Sequence, residues 1–89
     1  MNLLQETLEV MNMNNLKVKD IEWFGIKGSG SIPLDLFEKM LDVEYHEGYG
    51  SNEINESLVV VFKDQTFLER WEYDGSEGWE YFKVPYNYG

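Results

Sequence analysis

The sequence predicts an α+β domain: an antiparallel sheet of three to four strands ending in a β-meander, with two short helices packed on one face. Three observations predict it. Residues 2–13 repeat apolar groups at helical spacing, Leu58-Val59-Val60-Val61-Phe62 is a continuous apolar run, and residues 66–84, TFLERWEYDGSEGWEYFKV, form two aromatic arms about a glycine-containing turn. Residues 1–89 are expected to make one domain, because a chain this short buries only roughly 60 to 65% of the surface its unfolded form exposes.

The first helix is read from Leu3, Leu4, Thr7, Leu8 and Met11, one stripe at i, i+3, i+4 spacing, with Asn2 as its cap and Gln5 three residues later. Asn12, Asn14 and Asn15 end it. Residues 17–26, KVKDIEWFGI, alternate Val18, Ile21 and Trp23 against Lys19 and Glu22, the pattern of a partly covered strand. Gly25, Gly28 and Gly30 then read as a flexible turn. The segment GIKGSGS lacks the Gly-Lys-Ser/Thr step of a phosphate-binding loop, so no nucleotide site is expected there.

Pro33 opens a second short helix that ends near Leu41, with Leu34, Phe37, Met40 and Leu41 on its buried face and Asp35 near its positive end. Residues 42–45 read as a short extended piece, and HEGYGSNEINE as an irregular loop. Leu58 to Phe62 is the central strand, covered on both faces. Lys63-Asp64-Gln65 turns into the aromatic hairpin, Pro85 ends its last strand, and the tail from Tyr86 is expected to fray.

Two registers compete for the hairpin. A two-residue turn at Asp74-Gly75 would set Glu69 against Glu80 and Glu72 against Glu77, two like-charge pairs. A five-residue loop, residues 74–78, would instead pair Tyr73 with Trp79, Trp71 with Tyr81 and Glu69 with Lys83. The longer loop is the expected one, since it gains aromatic pairs of about 0.2 to 1 kcal/mol each and removes a repulsion. It would put Trp71, Tyr73, Trp79 and Tyr81 on one face.

Composition sets the chemistry. Seventeen Asp and Glu against seven Lys and Arg give a formal net charge of -10, a field that repels nucleic acid and anionic lipid and attracts basic protein surfaces. Three Trp, six Tyr and five Phe supply the apolar area of a small core, and there is no cysteine for a disulfide or thiolate metal site. The start, MNLLQETLEV, lacks the basic and apolar regions of a signal peptide, and no stretch reaches the roughly 18 apolar residues of a membrane span. A soluble cytoplasmic protein is expected.

No catalytic, metal or cofactor site is expected. His46 between Glu44 and Glu47 has no second histidine or cysteine to complete a metal set, and Asp74, Ser76 and Glu77 lack the ladder of a calcium loop. Glu72 and Glu80 would lie near glycosidase spacing in the favoured register, as any cross-strand pair does. What remains is a surface. Glu69, Glu72, Asp74, Glu77 and Glu80 surround Trp71, Tyr73 and Trp79, and these eight residues form the expected partner-binding set, with Tyr45, Glu47 and Tyr49 as a second patch.

The segment SLVVVFKDQTFLERWEYDGSEGWEYFKVP, with the earlier VKDIEWFG and the EYHEGYG loop, resembles a group of small acidic proteins of phages and prophages. The resemblance covers residues 18–85 and carries no catalytic residue. It implies a setting, since small acidic phage proteins are often inhibitors of host defence, anti-CRISPR proteins among them. The expected function is a non-enzymatic inhibitor, a partial DNA mimic that binds a basic surface of a host nucleic-acid-handling protein such as a CRISPR effector, without binding nucleic acid or membrane itself. The alternative is a structural module that forms a homodimer through the aromatic hairpin.

Overall fold

The computed structural model describes residues 2–45, 57–73 and 76–87. Helix α1, Leu3–Met13, is capped by Asn2, whose Oδ1 accepts from the Gln5 amide at 2.9 Å. Leu3, Thr7 and Met11 are its buried edge, and Leu8, expected in that stripe, is exposed. Val18–Asp20 is a 3₁₀ turn where a strand start was expected. Its cause is local: the Asp20 carboxylate accepts from the Lys17 amide at 2.8 Å and closes the chain on itself.

Strand β1, Ile21–Ile26, turns through Gly28 and Gly30, both at positive φ, into a short strand β2, Gly30–Ile32. The glycine-rich stretch is therefore a hairpin turn. Gly25 is what permits it, because a Cβ there would stand 2.3 Å from the Gly30 carbonyl oxygen across the pair. After Pro33 the chain runs through a 3₁₀ turn, Leu34–Leu36, into helix α2, Phe37–Leu41. Phe37 and Leu41 are buried, while Leu34 and Met40 turn to solvent.

Strands β3 (Leu58–Phe62), β4 (Phe67–Tyr73) and β5 (Ser76–Phe82) form the expected meander, and β3 is buried at all five positions. The sheet has five antiparallel strands in the order β2-β1-β3-β4-β5, one more than the upper expectation because β2 was not anticipated. Both helices pack on one face, where Phe24, Val60, Phe62 and Leu68 meet Leu3, Met11, Phe37 and Leu41.

The second face carries a smaller core of Val59, Val61 and Phe67 beside Trp23, Phe82 and Tyr86. Tyr86, placed by sequence in a frayed tail, stands edge-on to Trp23 and to Phe67 and donates its amide to the Gln65 carbonyl at 2.9 Å. Ring area on an otherwise open sheet face is sufficient reason for the tail to return.

Candidate functional site

The hairpin takes the register with two residues between its arms. Phe67 lies opposite Phe82, Glu69 opposite Glu80, Arg70 opposite Trp79, Trp71 opposite Gly78, Glu72 opposite Glu77, and Tyr73 opposite Ser76. This overturns the five-residue loop. The two registers differ by three residues, so every β5 side chain moves to the opposite face from the one expected. Trp71 and Tyr73 stay together on the open face, whereas Trp79 and Tyr81 pass to the helix side.

Arg70 explains why the Glu72–Glu77 pair is tolerated. Its side chain is 1% exposed, and its guanidinium reaches Glu77 at 3.0 Å and Glu6 of α1 at 3.2 Å. It lies between the rings of Tyr45 and Trp79, 5.3 and 5.1 Å from their centroids. The Trp79 indole donates to Thr7 Oγ1 at 2.8 Å, and the Thr7 hydroxyl donates to the Leu3 carbonyl at 2.7 Å. Glu77 and Trp79, both expected in the partner-binding set, are thus built into the interior.

Burial works against the Arg70 charge, but hydrogen bonding to Tyr45 and the carboxylates of Glu6 and Glu77 outweigh it and hold the guanidinium above its ordinary range. Burial pushes the Tyr45 hydroxyl up to about 12; hydrogen bonding to Arg70 acts the other way, and its donation to Glu6 adds to the rise. Tyr45 is therefore a core residue and not part of a second exposed patch. His46, Glu47, Tyr49 and Asp74 lie outside the described residues.

On the opposite face the picture is different. β4 pairs with β3 over Phe67, Leu68 and Glu69, and that register sets Leu58, the first residue of β3, at Arg70, so residues 71–73 and their β5 partners reach past the end of β3 as a two-stranded ribbon. Trp71 lies on Gly78 and is 40% exposed, and Tyr73 is 77% exposed. Glu80 is exposed beside them, and Glu69, half-buried, approaches Lys27 at 3.8 Å. Of the eight expected residues the fold gathers Glu69, Trp71, Tyr73 and Glu80 on this surface. Glu72 alternates to the helix side opposite Glu77, so it and Glu80 are on different faces and form no glycosidase-like dyad.

Comparison of the chain with protein-family models, curated proteins and solved structures found no match. Among the described residues no group of three or more His, Cys, Asp or Glu side chains is placed to hold a metal ion. No described helix is long and apolar enough to cross a membrane.

Two residues central to this region were missed by the sequence reading. Arg70 stands in sequence as one charge among many, yet it is the only arginine and sits amid aromatics. Gly78 falls in the expected five-residue loop, though a glycine facing a tryptophan across a hairpin is a signal for close packing.

Proposed function

We propose that this protein is a non-enzymatic binding module whose open hairpin face docks on a basic surface of a nucleic-acid-handling protein. Its carboxylates stand there where phosphates would. The observation that carries the reading is the grouping of Trp71 and Tyr73, 40% and 77% exposed, with Glu69 and Glu80 on one face of a projecting ribbon. Tyr and Trp are the residue types that anchor interfaces, and a net charge of -10 selects basic partners and speeds encounter with them.

The phage setting, a host-defence inhibitor of the anti-CRISPR kind acting in the host cytoplasm, rests on the resemblance of residues 18–85 to small acidic phage proteins. Capture from a host lysate, with and without nuclease, tests the reading. A partner retained after nuclease, released by salt and lost on Glu69→Lys with Glu80→Lys, is the expected result. Affinity unchanged between low and high salt would exclude phosphate mimicry. A tight homodimer by sedimentation, burying Trp71, would replace this reading with self-association.

A further inference from the structure

We infer that the open face of the hairpin is an arginine-receiving site, in which Glu69, Glu80 and the exposed indole of Trp71 together accept one guanidinium from the partner. The inference rests on the basic-partner reading above and specifies the side chain that the partner must present.

Glu69 and Glu80 lie directly opposite each other across the β4–β5 pair. Like charges in that relation repel. Lys27 offsets the repulsion only from the Glu69 side, at 3.8 Å and with its own side chain 56% exposed, and among the described residues no cation pairs with Glu80. On the same face the next pair toward the hairpin tip is Trp71 on Gly78, and the next the other way is the near-parallel stack of Phe67 on Phe82, 4.8 Å apart at 14°. The two carboxylates thus stand between rings on this face, Glu80 exposed and Glu69 half-buried.

The same hairpin holds a filled version of this arrangement on its other face. There Arg70 lies between aromatic rings and reaches two carboxylates, Glu6 and Glu77. Aromatic rings and a carboxylate pair recur on the open face with no arginine, and Arg70 is the only arginine in the chain. A partner must supply the second one. A guanidinium suits the place better than an ammonium, because its planar fork can engage two carboxylates while its face stacks on an indole, and it is more weakly hydrated.

The test is a titration of the full chain with two synthetic peptides of equal length and charge, one carrying arginines and the other lysines, followed by tryptophan fluorescence and calorimetry. The arginine peptide is expected to bind about tenfold more tightly. Glu80→Gln and Trp71→Leu should each bring it down to the lysine level, whereas Glu38→Gln, an exposed acid on α2, should leave the preference intact. Circular dichroism confirms that each variant is folded. Equal affinity for the two peptides, or an arginine preference that survives Glu80→Gln and Trp71→Leu, overturns the inference while leaving the basic-partner reading standing. Absence of binding by either peptide overturns both.

Discussion

Trp71 rests on Gly78 across the hairpin, its Cζ2 3.1 Å from the point where a Cβ on Gly78 would stand. The glycine leaves room for the ring over the β5 backbone, on the same face as Glu80. Gly78→Ala therefore moves an exposed, displaceable ring and leaves stability within about 1 kcal/mol of the parent, while raising acrylamide quenching of tryptophan. Gly25→Ala is the contrast. Its Cβ would meet backbone, the Gly30 oxygen at 2.3 Å and the Ser31 Cα at 2.9 Å, so a loss of about 2 kcal/mol or more in urea unfolding is expected.

Arg70→Met leaves Glu77 buried without its cation, and Glu6 loses the same partner. The expected destabilisation is about 3 to 5 kcal/mol by chemical denaturation. Replacing Glu77 by Leu and Glu6 by Gln in the same chain should recover a large part of it, because the desolvated carboxylates are then gone as well. A triple variant no more stable than Arg70→Met would mean that ring packing around Arg70 dominates.

Tyr45 sets an alkaline limit. Its hydroxyl, held between Glu6 and Arg70, rises from 10.0 to about 12 on folding, so the unfolded chain releases this proton first as pH increases. The associated stability is complete below pH 10 and is lost between about pH 10 and pH 12, an effect of about 2 to 3 kcal/mol. Thermal unfolding followed across that interval should show the decline, and Tyr45→Phe should flatten it.

Glu80→Gln relieves the repulsion from Glu69 and is expected to raise stability by about 0.2 to 1 kcal/mol while weakening the partner. Melting temperature and affinity would then move in opposite directions. A variant that loses both would assign Glu80 to folding.

The helices, the central strand and the meander were legible because each rests on a local pattern: the Leu3-Thr7-Met11 spacing, the five apolar residues of β3, the aromatic arms of the hairpin. The register was not. It turned on Arg70, whose burial depends on Glu6 some sixty residues earlier and on Tyr45, and pairwise comparison of hairpin residues cannot include partners so distant in the chain. The candidate surface follows the register: Glu69, Trp71 and Tyr73 share one face of β4, Glu80 joins them only in the observed pairing, and Glu77 and Trp79 are drawn inward by that same arginine. Strand β2 escaped notice because three residues, Gly30-Ser31-Ile32, are too few to show alternation.

The enclosure of Arg70 also divides the molecule's positive groups by chemistry. All six lysines are exposed, and the one guanidinium is shut inside. A dicarbonyl reagent selective for arginine should therefore ignore the folded chain and label it only when the region around α1, β4 and β5 opens, which makes the rate of modification a clock for that opening. In a mixture with a partner, the same reagent reports on the partner's arginines alone.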